Sequence, residues 1–200
     1  MKPRTARLPD RRVWLRVADP AWRDPLDLSF AQARGGRWNP PASHATLYLS
    51  GDPVTARLQI ERLLESSPVH VEDLDDAAYV MVAATLPRTQ ACADASTSAG
   101  LRALGLPDTY PRGPGGHPVK QSVCQAIGRK IYDVRLRGVW CRSARALDGR
   151  GRELAWFPAT PRSRARPVWT EPLPFGQWRY AADWDYIGLP NQPDPRATVS

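Results

Sequence analysis

The sequence has 200 residues, of which 42% are hydrophobic and 24% are charged, which suits one globular domain with an ordinary core. It has no stretch of about eighteen apolar residues and no apolar signal segment at its start, so we expect a cytoplasmic protein and not a membrane protein. The 21 prolines favour short elements joined by turns over a helical bundle.

The balance of 28 basic and 20 acidic side chains gives a formal net charge of +8, which raises the question of nucleic-acid binding. The arginines, however, are spread from Arg4 to Arg196. The sequence contains no helix-turn-helix, zinc-finger or RNA-binding signature. A basic nucleic-acid-binding protein is therefore the weaker alternative, supported by the charge and by eight tryptophans that could stack on bases.

The three cysteines, Cys92, Cys124 and Cys141, are widely spaced. No CxxC pair and no cluster of histidine and cysteine indicates zinc, so no metal is expected and the thiols should be reduced. The histidines at 44, 70 and 117 are interpreted as ordinary surface or loop residues.

The N-terminal half predicts two strands and one well-marked helix. Residues 1–11 read as a loosely held basic arm. Strands are expected over residues 13–17 and 45–50, with a loop over 18–36 between them. Asp52 and Pro53 are a good N-cap and first residue of a helix. The buried stripe of this helix should contain the residues at i, i+4, i+7 and i+8, namely Ala56, Ile60, Leu63 and Leu64.

The C-terminal half predicts further short elements. Helices are expected over residues 98–104 and 121–131, separated by a loop rich in proline and glycine over 107–118. Strands are expected over 79–86, 138–143, 153–157 and 177–181, and a disordered tail over 189–200. Strands outnumber helices and do not alternate with them in a βαβ rhythm. The prediction is one α+β domain, residues 12–188, with a mainly antiparallel sheet and flanking helices.

The familiar catalytic motifs are absent: the sequence has no Walker loop, GxGxxG, HExxH or GxSxG. The remaining chemistry is that of arginine, aromatic, carboxylate and hydroxyl side chains. Such a set suits a phosphorylated ligand that carries a ring, for example a nucleotide.

Several motifs together resemble the RES-domain family. They are RVADP near the start, GGRWNPP at 35–41, LYLSGDPVTA at 47–56, GVWCRSA at 138–144 and ELAWFP at 153–158. The resemblance covers roughly residues 12–158. It implies a fold like that of the ADP-ribosyltransferase toxins, and a bacterial toxin of a toxin–antitoxin pair that destroys NAD.

The resemblance also implies site residues. Arg37 of GGRWNPP would hold the pyrophosphate of NAD, and Arg16 of the first strand would hold a second phosphate. Tyr48 would pack on nicotinamide, and Ser143 would bind ribose or the nicotinamide amide. Trp38 is interpreted as a packing residue.

The family's glutamate is the point where this sequence departs from the pattern. It lies eleven residues after the tyrosine, and here that position is Gln59. The nearest carboxylate, Glu61, is two residues further along a helix and so should point roughly 200° away. A neutral amide can hold a hydroxyl but cannot stabilise the positive charge that develops on ribose when nicotinamide leaves.

The leading hypothesis is therefore an NAD-processing enzyme that cleaves the nicotinamide–ribose bond by phosphorolysis, hydrolysis or ADP-ribosyl transfer, with Gln59 in place of the glutamate. The alternative is a non-catalytic nucleotide-binding module. The family resemblance implies an antitoxin partner with a helix-turn-helix DNA-binding domain, and it leaves a homodimer open.

Overall fold

A mixed β-sheet forms the centre of the protein in a computed structural model that describes residues 2–9, 12–87, 90–146 and 149–180. Nine strands are present in that part of the chain. They are β1 (Thr5–Arg7), β2 (Val13–Ala18), β3 (Leu47–Ser50), β4 (Val80–Thr85), β5 (Ala91–Ala95), β6 (Gly138–Arg142), β7 (Arg152–Trp156), β8 (Arg166–Pro167) and β9 (Leu173–Pro174). The predicted α+β class is confirmed.

The strand order is β1-β5-β6-β7-β3-β2-β4-β8, with β9 also paired to β4. Every neighbouring pair is antiparallel except β5 and β6, which run parallel. A parallel pair needs a long crossover, and here the connection from β5 to β6 contains two helices. Strand β5 was not predicted, because its residues, ACADA, are mostly alanine, which is depleted in strands.

Five α-helices accompany the sheet in the described ranges: α1 (Ser29–Arg34), α2 (Pro53–Leu64), α3 (Ser98–Ala103), α4 (Gln121–Asp133) and α5 (Phe175–Trp178). The Asp52 side chain accepts a hydrogen bond from the backbone N–H of Thr55, which confirms the predicted N-cap of α2. Ala56, Ile60 and Leu64 pack inward as expected. Leu63 is 66% exposed, so the predicted buried stripe is wrong at this residue.

The helices that enclose the core lie on one face of the sheet and form two apolar clusters. In one cluster, Ile127 and Ile131 of α4 and Leu101 of α3 pack against the part of the sheet that contains β5 and β6, including Val139. In the other, Ala56 and Ile60 of α2 pack on β2 and β4. The opposite face of the sheet carries a third cluster that includes Trp14, Leu47, Leu49, Leu154 and Trp156.

Several predictions about the ends and the loops of the chain are wrong. The basic arm is not loosely held, because Thr5–Arg7 pairs with β5 as an edge strand. The loop predicted over 18–36 contains α1, which buries no residue. The described part of the strand predicted over 177–181 is not a strand, because its first two residues belong to α5, whose Phe175 and Trp178 are fully buried. The predicted tail, 189–200, lies outside the described residues.

His44 is also placed differently from its prediction, since it is 5% exposed and its ring stacks on that of Tyr132. The three cysteines are free thiols, and all of them are buried. Within the described ranges, no helix is long and apolar enough to cross a membrane.

Helix α4 is held against the GGRWNPP segment by a close backbone contact. Gly128 lies where an added Cβ would be 1.8 Å from the carbonyl oxygen of Trp38. Trp38 itself is 1% exposed and packs in the same cluster as α4, as the sequence indicated. Glycine at position 128 is therefore needed for the helix to approach this segment.

We expect Gly128→Ala to destabilise the protein. Alanine is favoured over glycine in a helix by about 1 kcal/mol, but the clash is with backbone, which cannot rotate away, and overpacking of this kind costs about 1–3 kcal/mol or more. The free energy of unfolding, measured by urea denaturation, should fall. Gly113→Ala is the matched control, since its Cβ would lie at an ordinary 3.4 Å from the nearest atom. Equal stability of the two variants would contradict the close contact.

Candidate functional site

Four of the predicted site residues lie between the two apolar clusters on the helix-covered face of the sheet: Arg37, Tyr48, Gln59 and Ser143. Tyr48 and Ser50 of β3 are paired with Ala155 and Glu153 of β7, and paired residues of antiparallel strands point to the same face. Tyr48 and Glu153 are thus diagonal neighbours in the middle of the sheet. Helix α2 borders this position on one side, and α4 with the GGRWNPP segment borders it on the other.

The two glycines of GGRWNPP are needed for different structural reasons. Gly35 ends α1 with a φ of 76°, a backbone conformation that favours glycine. Gly36 leaves room for Tyr48, because an added Cβ would be 2.5 Å from the tyrosine ring. The Gly36 carbonyl accepts hydrogen bonds from the side chains of Gln121 and Gln125 on α4. The segment is therefore held in place at both glycines.

The side chain of Arg37 extends from the GGRWNPP segment to the loop that precedes α4. Its Nε donates to the hydroxyl of Tyr110 over 3.0 Å, and its Nη2 donates to the carbonyl of Val119 over 3.0 Å. Among the described residues, no acceptor is paired with Nη1. The guanidinium is thus oriented by two protein contacts and keeps one nitrogen for a ligand anion.

Tyr48 supports the same segment through its hydroxyl. The hydroxyl accepts a hydrogen bond from the backbone N–H of Trp38 over 2.8 Å and donates one to Oδ1 of Asn39 over 2.7 Å. Burial raises the pKa of Tyr48 well above its ordinary value, so the hydroxyl stays protonated and able to donate. Tyr48 therefore orients the backbone that carries Arg37.

Gln59 of α2 belongs to a chain of four hydrogen-bonded side chains. Its Nε2 donates to Oε1 of Glu153 over 2.8 Å, and its Oε1 accepts from Nε of Arg145 over 3.3 Å. Ser143 donates its hydroxyl hydrogen to the same Oε1 of Glu153 over 2.5 Å. Glu61, in contrast, points away and pairs with Arg57, as the helix geometry predicted.

Ser143 is fully buried and its oxygen also accepts from the backbone N–H groups of Arg145 and Ala146. Its hydroxyl is thus committed to protein partners and fixes Glu153. The resemblance implied that Ser143 contacts ribose directly, but its hydroxyl already donates to Glu153 and so has no hydrogen left to donate to ribose.

The environment of Glu153 is mixed. Burial raises the pKa of Glu153 above that of an ordinary glutamate, whereas the hydrogen bond from Ser143, the charge of Arg145 and the hydrogen bond from Gln59 favour the ionised form. The charge of Arg37 acts in the same direction. The site therefore combines one carboxylate with two guanidinium groups.

Arg16 is not brought into this cluster. Its neighbour Leu15 is paired with Ser50, so Arg16 lies on the opposite face of the sheet from Tyr48 and Glu153. Its Nη1 donates to the carbonyl of Asp27, and its guanidinium lies over the ring of Trp22. Arg16 therefore does not lie beside Arg37 and is not part of the candidate site.

Sequence reasoning missed Glu153, Tyr110 and Arg145. Glu153 did have a signal, since it opens the apolar strand ELAWF, where a charged residue is expensive unless it has partners. Tyr110 and Arg145 had none, because neither of them belongs to one of the quoted motifs or to an apolar strand. Within the part of the chain described, no group of three or more histidine, cysteine, aspartate or glutamate residues could hold a metal ion.

The cluster has the groups needed to bind an anionic ligand and to stabilise positive charge near it. Arg37 offers a donor to phosphate oxygens, and Glu153 offers negative charge in partly dehydrated surroundings, where charge acts more strongly than in water. Tyr48 and Gln59 position the two.

A protein-family model, that of the RES domain, matches residues 7–183 of the chain. Curated relatives include proteins named NAD(+) phosphorylase MbcT from Mycobacterium tuberculosis and Mycobacterium bovis. Each is 30% identical over 120 residues, which are 60% of this chain and 61% of the relative. The matched part thus spans about three fifths of the length of these relatives.

A solved structure with the same fold is that of the M. tuberculosis MbcT–MbcA toxin–antitoxin complex. The TM-score is 0.66 at 23% sequence identity, with 84% of this chain and 87% of that chain covered. The agreement shows that the arrangement of strands and helices is shared.

We expect Tyr48→Phe to lower the free energy of unfolding by about 1–3 kcal/mol, because it leaves the N–H of Trp38 and Oδ1 of Asn39 without their partner. Urea denaturation measures the change. Tyr132→Phe is the control, since the Tyr132 hydroxyl has no hydrogen bond to any described residue and its ring is equally part of the core. If the two variants lose the same stability, the Tyr48 hydroxyl does not support the segment.

Proposed function

The chain belongs to the RES domain family, and from that premise we propose that it is an enzyme that cleaves NAD at the nicotinamide–ribose bond. The observation that carries the proposal is the convergence of Arg37, Tyr48, Gln59 and Ser143 on one position between the two apolar clusters. They come from four separate parts of the chain, namely the GGRWNPP segment, β3, α2 and the end of β6, and the motif resemblance implies a role in NAD cleavage for each of them.

The bond that breaks joins N1 of nicotinamide to C1′ of ribose. Its electron pair goes to the ring nitrogen, so nicotinamide leaves as a neutral molecule and no acid is needed. Positive charge develops on the sugar, and an oxygen of the acceptor then bonds to C1′. Arg37 would bind the pyrophosphate through Nη1, while Tyr48 keeps the GGRWNPP segment in position beside the nicotinamide end.

Inorganic phosphate is the acceptor that we propose, in line with the phosphorylase name of the relatives. Water and a protein side chain are the other acceptors compatible with the same bond cleavage. A cytoplasmic location belongs to the proposal, since the cytoplasm supplies both NAD and phosphate.

An antitoxin partner is part of the proposal as well, because the structural neighbour is a toxin–antitoxin complex. The family resemblance adds that such a partner carries a helix-turn-helix DNA-binding domain. A homodimer is a further arrangement that the proposal leaves open.

A second candidate function is a non-catalytic module that binds NAD. The observation in its favour is Gln59, a neutral side chain where the resemblance implies a glutamate. The nucleic-acid alternative has only its original evidence, the net charge and the tryptophans.

The first prediction for this function concerns the reaction itself. The purified protein should release nicotinamide from NAD in the presence of inorganic phosphate, with ADP-ribose 1″-phosphate as the second product. Liquid chromatography with mass detection follows both compounds. Release without phosphate would indicate hydrolysis, whereas NAD binding without any release would favour the non-catalytic module.

The second prediction concerns Arg37. Arg37→Ala should weaken NAD binding at least ~10-fold, because charge-assisted hydrogen bonds to phosphate contribute about 1.5–3 kcal/mol. Isothermal titration calorimetry measures the affinity, and circular dichroism checks folding, since Arg37 also holds Tyr110. Arg37→Lys keeps the charge and guards against a folding defect. Arg166→Ala, an exposed arginine of β8, removes equal charge and should leave affinity unchanged. Unchanged affinity of both Arg37 variants would remove Arg37 from the site.

A further inference from the structure

We propose that Glu153 of β7 supplies the carboxylate of the reaction, in place of the glutamate that the resemblance implies at position 59 on α2. The inference rests on the proposed NAD cleavage and deepens it. The carboxylate has not been lost from this chain but is carried by the neighbouring strand.

The side chains of Gln59 and Glu153 are in direct contact. Nε2 of Gln59 lies 2.8 Å from Oε1 of Glu153. The ends of the two side chains therefore lie at the same place in the site. The orientation of the amide follows from its neighbours: Arg145 can only donate and an ionised carboxylate can only accept. Gln59 thus presents its NH₂ group to Glu153 and its oxygen to Arg145.

Electrostatic repulsion explains why Glu153 is accompanied by a neutral residue at position 59. Two carboxylates in contact at this distance cannot both be ionised, and one of them would have to keep a proton. A glutamate at 153 is therefore compatible with glutamine at 59 and conflicts with glutamate there. The departure from the family pattern at Gln59 and the charge inside the apolar strand ELAWF have one common explanation.

The two carboxylate oxygens of Glu153 differ in their hydrogen bonding. Both Gln59 and Ser143 donate to Oε1, and in the described ranges no donor is paired with Oε2. Hydrogen bonds on one oxygen fix the orientation of the carboxylate, while the other oxygen is available to a ligand. A carboxylate oxygen can accept the 2′-hydroxyl of ribose or face C1′, where positive charge develops as nicotinamide leaves.

Two hydrogen-bond donors and one neighbouring charge act on Glu153 from three elements. Ser143, which follows β6, and Gln59 of α2 donate to its carboxylate. Arg145, in the loop before β7, adds positive charge and donates its hydrogen bond to Gln59. Arg37 adds positive charge from the GGRWNPP segment. The negative charge is therefore held in place before the substrate arrives, which is the condition for effective electrostatic stabilisation.

The experiment compares the wild-type protein with Glu153→Gln and with the exchange variant Gln59→Glu/Glu153→Gln in the nicotinamide-release assay. Glutamine at 153 keeps an oxygen that can accept from Gln59 and Ser143, so the change removes charge with little loss of hydrogen bonding. We expect kcat of Glu153→Gln to fall ~10²–10³-fold, with KM for NAD changed less than about threefold. The exchange variant, which returns the charge to α2, should recover at least ~10-fold of that loss. Glu61→Gln, on the exposed side of α2, is the matched control and should keep wild-type activity.

The outcomes separate this inference from the proposed function. An active wild-type protein with an equally active Glu153→Gln variant would overturn the role of Glu153 alone. A folded exchange variant as slow as Glu153→Gln would overturn the idea that the two positions serve the same charge. A wild-type protein that releases no nicotinamide with any acceptor would overturn the proposed function, and this inference with it.

Discussion

The carboxylate of Glu153 and the hydroxyl of Tyr48 lie in the middle of a sheet, on the face that two apolar clusters and their helices cover. Polar groups in such a place cost free energy unless each of them has a partner. The surrounding structure is arranged around that constraint. Ser143 and Gln59 satisfy one oxygen of Glu153, and the GGRWNPP segment satisfies the Tyr48 hydroxyl.

The same constraint explains why the GGRWNPP segment is hydrogen-bonded from two sides. Its backbone is held by Tyr48 from the sheet and by Gln121 and Gln125 from α4. The close approach at Gly128 brings α4 near enough for these contacts. Arg37 emerges from this fixed backbone, and Tyr110 and Val119 hold its guanidinium. A side chain whose conformation is already determined loses little entropy when it binds an anion.

Gln59 illustrates how a single departure from a motif can mislead when it is considered alone. In the sequence it looks like the loss of a catalytic carboxylate. In the structure it is one half of a pair whose other half, Glu153, carries the charge. The two residues are 94 positions apart, so no local pattern relates them.

The sequence by itself determined the α+β class, the cap and much of the buried stripe of α2, and most strands. Its motifs, through their resemblance to the RES-domain family, also implied Arg37, Tyr48, Gln59 and Ser143 as site residues. These features depend on local propensity, on periodicity and on short motifs, all of which can be read over a few neighbouring residues. Only the tertiary structure decided that the alanine-rich β5 is a strand, that Arg16 lies on the far face of the sheet, and that Glu153 meets Gln59. Each of these depends on which strands become neighbours and which face of a strand is covered. Long-range contacts set both, and local sequence does not encode them.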